Sequence, residues 1–139
     1  MARRMLRSLI LALGLLAPLA ADDVVMVVAN GSELQEISAR EISALFTGMT
    51  RTVGLRIARP AVLRQGGAHQ SFLDRYIGKS PAQYYNWWKR LVFTGKADFP
   101  KAFDSEEQMA AFLAENPSYI GYLSPGHVTG DLKVLTVRE

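Results

Sequence analysis

Residues 64–69 read RQGGAH: an arginine, then a glycine pair that runs into a segment with helical patterning. Glycines before a helix leave backbone N–H groups free, and an N-terminal helix end attracts negative charge. The chemistry such a turn can do is oxyanion binding. The N–H groups of Gly67, Ala68 and His69 would donate, Gly66 would make the turn and Arg64 would neutralise charge. Ser71 lies one turn further along the helix. Asn30 and Ser32 follow the first strand and are expected at the same end of the sheet, where ligands of open α/β sheets gather. The plain alternative is a turn that needs glycine only for its backbone angles. The residues alone leave both open.

Catalysis has little to work with. The chain contains no cysteine and two histidines, His69 and His127. No H-E-x-x-H or G-x-S-x-G pattern occurs, so an enzyme is not expected. Two histidines without clustered carboxylates make a poor ligand set, so neither a metal site nor a cofactor is expected. The aromatic run YYNWWKRLVF (84–93) can be core or a stacking platform. Trp87 and Trp88 point about 100° apart on a helix. Trp88 shares a stripe with Tyr84, Leu91 and Val92 and belongs to the core, which leaves Trp87 at its margin.

Several elements must position these residues. The first stretch, MARRMLR followed by SLILALGLLAPLA and small residues before Asp22, is the pattern of a cleavable export signal. Its apolar run is shorter than the roughly 20 residues that span a bilayer, so no stable membrane anchor is expected. The expected organisation is a signal peptide over 1–21 and one domain over 22–139, located in the periplasm. Removing Arg3, Arg4 and Arg7 leaves thirteen basic residues against thirteen acidic ones. That balance gives no support for nucleic-acid binding. With no disulfide available, the hydrophobic core must hold the fold, and the remaining length suits one domain.

VVMVVA (24–29) reads as a strand buried on both faces. SAREISALFTG carries Ser38 and Glu41 as a capping box, Ile37 and Ile42 as a hydrophobic staple, and Gly48 as a stop. A strand is expected near 54–59, ended by Pro60. A helix follows with Phe72, Leu73, Tyr76 and Ile77 on one face and Gly78 as its stop. The next is capped by Ser80 and Gln83 with Pro81 in its first turn. DSEEQMAAFLAENP forms a further helix with Met109, Phe112 and Leu113 inward. SYIGYL and DLKVLTV read as strands. The order β-α-β-α-α-α-β-β predicts an α/β domain with a mixed sheet flanked by helices.

EISALFTG, WWKRLVFTG and ENPSYIGYL, set around a glycine-rich turn, resemble the short single-lobe proteins of the periplasmic-binding-protein-like superfamily. The similarity is to those related to phosphate ABC transporter substrate-binding components, and it extends over most of 24–139. It implies one lobe of a type II binding-protein fold and a role in substrate binding. In the family the matching turn resembles R-x-x-G-S-G-T, whose serine, threonine and arginine hold the anion. Gly67 matches the central glycine, Gly66 stands in place of the serine and Ala68 in place of the threonine. Arg64 lies closer to the glycines than the family arginine does. Losing two hydroxyl donors weakens anion binding by roughly two to four powers of ten. The expected function is an exported binding-protein-like chain that takes a small oxyanion such as phosphate weakly. The alternative is a non-catalytic interaction module that meets a protein partner or a second copy of itself.

Overall fold

The computed structural model describes residues 23–139, so the expected leader and its cleavage point lie outside the described residues. The chain runs β1 (Val25–Ala29), β2 (Glu36–Ser38), α1 (Ala39–Phe46), β3 (Thr52–Val53), β4 (Arg56–Ile57) and β5 (Arg59–Leu63). It continues through α2 (Gly67–Phe72), which widens into a π turn over Leu73–Ile77, then α3 (Pro81–Phe93), β6 (Lys101–Phe103) and α4 (Glu106–Glu115). It closes with β7 (Tyr119–Leu123), a 3-10 turn over Pro125–His127, β8 (Leu132–Val134) and β9 (Thr136–Arg138).

The β-branched run at the start becomes a strand inside a five-stranded mixed sheet ordered β6-β5-β7-β1-β8. β1 lies antiparallel to both β7 and β8, while β5 runs parallel to both β6 and β7. Met26, Val27 and Val28 of β1 have no exposed surface, as a strand covered on both faces requires. A second, parallel pair joins β2 to β9. Along β7, side chains alternate between the two faces of the sheet. Tyr122 stacks on Phe72 with ring centroids 3.9 Å apart, on the face covered by α1 and α2. Its neighbour Gly121 faces α4.

At Gly121 an added Cβ would lie 2.7 Å from Leu113 Cδ1 and 2.9 Å from Met109 Sδ. The glycine of the IGY segment is therefore a packing requirement of α4. Gly121→Ala is expected to lower the unfolding free energy by about 1–2 kcal/mol, because flexible side-chain ends can move aside in part. Denaturant melts check this. An unchanged midpoint would mean that α4 accommodates the methyl group freely.

The helix boundaries follow local chemistry. Ser38 and Glu41 form a reciprocal capping box on α1, and Ser80 and Gln83 form one on α3. Ile37 and Ile42 are both fully buried, in keeping with the staple. Gly78 ends the π turn in the left-handed region, with φ 72°. Met109 and Leu113 of α4 are buried, whereas Phe112 is half-buried.

Two strand assignments change. The strand expected near 54–59 is a two-residue hairpin, β3–β4, and the buried strand begins at Arg59 and passes through Pro60. Proline is tolerated there because of the ladder. The Arg59 N–H donates to the Ser118 carbonyl toward β7 at 2.9 Å, while pairing with β6 starts only at Ala61. The missing N–H of Pro60 falls where no partner strand needs it. The final DLKVLTV segment is two strands divided at Leu135. The Leu135 N–H donates to the Met26 carbonyl at 2.8 Å, and the chain then leaves the main sheet for β2. β6 is an additional three-residue edge strand.

Candidate functional site

The carboxyl ends of the three parallel strands β5, β6 and β7 lie together. Leu63 is level with Phe103, and the register of β5 on β7 carries Leu63 toward Leu123. Arg64, Asp104 and Ser124 follow these three ends directly. The 64–69 turn is thus at the position where open α/β sheets collect ligands.

Gly66 has φ 100°, a conformation that favours glycine, and precedes the first residue of α2. The Gln70 N–H donates to the Gly66 carbonyl at 3.0 Å, closing the first turn. Among the described residues, the N–H groups of Gly67, Ala68 and His69 find no acceptor, as expected for a helix start without a side-chain cap. Gly67 is exposed, Ala68 and His69 are buried, and Ser71 is half-buried one turn along.

Arg64 is less available than its place in the turn suggests. Its Nη1 donates to Asp104 Oδ1 at 2.8 Å, and both side chains are more than half exposed. A carboxylate already takes part of the arginine's charge. Asp104 escaped sequence reasoning because it follows β6, a strand too short to leave a pattern.

The His69 side chain turns inward. Its Nδ1 lies 2.5 Å from the Tyr122 hydroxyl, which also accepts the Leu63 N–H at 2.9 Å. Burial pushes the Tyr122 phenol well above its usual range, so it keeps its proton; with its oxygen already accepting the Leu63 N–H, that proton is assigned to the bond with Nδ1. The ring proton of neutral His69 then sits on Nε2. Burial also pushes the imidazole down to about 4. His69 is thus a neutral core histidine whose backbone alone faces the turn. His127 sits between Glu106 and Glu107, 3.2 Å from a carboxylate oxygen of each.

Asn30 and Ser32 do not join this group. β1 is antiparallel to β7, and β7 is parallel to β5, so the carboxyl end of β1 lies beside the amino ends of β5 and β7, at the opposite end of the strands. There the Asn30 side chain donates to the Gly130 carbonyl at 2.7 Å, and Ser32 Oγ accepts the Leu34 N–H at 3.2 Å. The expectation that both lie at the same end as the glycine turn fails because β1 runs the other way.

The aromatic run of α3 has a structural task. The Phe46 carbonyl accepts from the Tyr84 hydroxyl at 2.5 Å and from Trp88 Nε1 at 3.1 Å, and the Thr47 carbonyl accepts from Trp87 Nε1 at 2.8 Å. These carbonyls belong to the end of α1, where the helix itself supplies no donors. Among the described residues there is no group of three or more His, Cys, Asp or Glu side chains able to hold a metal, and no helix is long and apolar enough to cross a membrane.

Comparison of the sequence with protein-family models and with curated proteins gives no match. Solved structures do match. An ABC-type phosphate transport receptor from Vibrio cholerae superposes with a TM-score of 0.56 at 12% identity, covering 84% of this chain and 46% of the receptor. A phosphate ABC transporter substrate-binding protein with bound phosphate, from Clostridium perfringens, gives 0.64 at 13% identity over 84% of this chain and 45% of its own. PstS from Borrelia burgdorferi gives 0.59 at 12% identity over 85% of this chain and 48% of its own. The chain spans less than half the length of each. Its mixed sheet, flanked by α1 and α2 on one face and by α4 on the other, is a single lobe of the periplasmic-binding-protein fold found in phosphate ABC transporter substrate-binding proteins.

Proposed function

We propose that this chain is an exported binding protein that takes a small oxyanion, phosphate in the first instance, weakly and without catalysis. The observation that carries the reading is the set of free N–H groups on Gly67, Ala68 and His69 at the carboxyl ends of three parallel strands. A neighbour of the same fold was solved with bound phosphate. The export part of the reading rests on the leader pattern of 1–21 and a periplasmic location follows from it.

Two features keep the affinity low. Gly66 and Ala68 supply no hydroxyl donors, and Asp104 competes for Arg64. A dissociation constant on the order of 0.1 mM or weaker is expected. Calorimetric titration with phosphate and with sulfate tests it. Asp104→Asn is expected to tighten binding several-fold by releasing Arg64, and Arg64→Ala to abolish it. Gly66→Ser is a poor way to restore the missing donor, because its φ of 100° disfavours any side chain. No heat with either anion at millimolar concentration, in wild type and in Asp104→Asn, would refute the oxyanion reading.

A further inference from the structure

Residues 49–101 contain ten lysines and arginines against two acidic residues, whereas the rest of the described chain contains three against ten. The same segment holds Met49, Leu55, Ile57, Tyr85, Phe93 and Phe99, six of the seven large hydrophobic side chains exposed among the described residues. Leu55, at the β3–β4 hairpin tip, and Phe93, at the end of α3, are almost wholly in solvent.

This segment surrounds a groove. Two adjoining basins of about 680 Å³ and 540 Å³ run between α3 and β5, and both are walled by Trp88, Phe99, Pro100, Lys101 and Tyr119. The rings of Tyr85 and Phe99 stack with centroids 6.1 Å apart at the rim. Arg51, Arg59 and Lys101 also border it, are exposed, and form no ion pair among the described residues. Asp98 is the one acidic residue on either wall.

We propose that the groove between α3 and β5 docks a partner protein through an acidic segment that carries aromatic or branched apolar anchors. Arg59 and Lys101 lie over the Tyr119 and Phe112 rings, but none of the three cations has a carboxylate partner among the described residues, and such cations around an apolar floor favour an acidic partner by charge complementarity. The concave shape favours polypeptide side chains over a membrane, which would meet a flat or convex surface. Buried aromatic and aliphatic anchors are what a floor of Val62, Leu63 and Trp88 accommodates. The site adjoins the glycine turn at Arg64 but does not rest on oxyanion binding there. Arg64 is left intact in the test so that the two readings fail separately.

The probe is a fluorescein-labelled peptide of Asp and Glu interspersed with Phe and Leu, measured by anisotropy. A peptide with Lys in place of every acid serves as comparison. The acidic peptide is expected to bind, to weaken as salt rises, and to lose on the order of tenfold in affinity with Arg51→Glu combined with Lys101→Glu. Tyr85→Ser and Phe99→Ser, each at an exposed ring and first shown to melt like wild type, are expected to weaken it independently of charge. Equal binding of both peptides, or none, overturns the proposal. So does retention by phosphatidylglycerol vesicles that the acidic peptide does not displace, which would assign the surface to a membrane. Self-association through this face, seen by sedimentation and abolished by Phe99→Ser while the peptide fails to bind, would overturn it in favour of a second copy.

Discussion

Trp88→Ala lowers the unfolding free energy by about 3–5 kcal/mol, the range for truncating a buried tryptophan, and Trp87→Ala by less than half as much. Trp88 is 4% exposed, whereas Trp87 is half-buried with Lys79 over its ring. Trp88 also closes the end of α1 from above. A Cβ at Gly48 would lie 3.0 Å from its ring, so backbone and indole are already in close contact. Removing the indole opens a cavity between α1 and α3 and takes one donor from the Phe46 carbonyl. That carbonyl keeps the Tyr84 hydroxyl, so the loss is mainly packing. Trp87→Ala removes the bond to the Thr47 carbonyl, which can turn to water. Guanidinium melts of the two variants decide the matter, and an equal or reversed order would refute the assignment of Trp88 to the core.

Stability falls by about 2 kcal/mol between pH 7 and pH 5, and His69→Asn removes most of that fall. The folded imidazole titrates at about 4 because burial disfavours its charged form, against about 6.5 in an unfolded chain. Between those values the unfolded state binds more protons, so stability increases with pH and decreases as acid is added. The contribution is complete above about pH 6.5 and is lost progressively down to pH 4. The groups facing the ring are the hydroxyl and ring of Tyr122 and the ring of Tyr84, and burial raises both phenols, so neither titrates in this window. The side-chain oxygen of asparagine can stand where Nδ1 meets the Tyr122 hydroxyl, without a group that titrates. Denaturant melts at pH 7, 6 and 5 read the slope. A wild-type slope no steeper than that of the variant would mean that His69 is already solvated in the fold.

Local features of the chain were legible because their physics is local. The capping boxes at Ser38 and Ser80 involve groups three residues apart, and the stop at Gly78 needs only one left-handed backbone angle. Periodicity placed Trp88 inward and Met109 and Leu113 beneath α4, since a helix repeats its face every three to four residues. Pro60 misled for the opposite reason. Whether a proline ends a strand depends on whether a neighbouring strand needs its N–H, and that neighbour, β6, is forty residues away and only three long.

The candidate site divides along the same line. The glycine turn at 66–67, its place before a helix and its free N–H groups were properties of the sequence by itself, together with the binding-protein-like α/β lobe. What occupies the surroundings was decided only by the tertiary structure. Strand direction sent Asn30 and Ser32 to the opposite end of the strands. The parallel pairing of β5 and β6 brought Asp104 onto Arg64, and the alternation of side chains along β7 put the Tyr122 hydroxyl behind His69. The last two are contacts across forty and fifty-three residues, and the pairing that directs β1 spans about a hundred. Residue types and spacing specify backbone conformations within a turn, but which charges and hydroxyls meet is set by the register and direction of strands that pair at a distance.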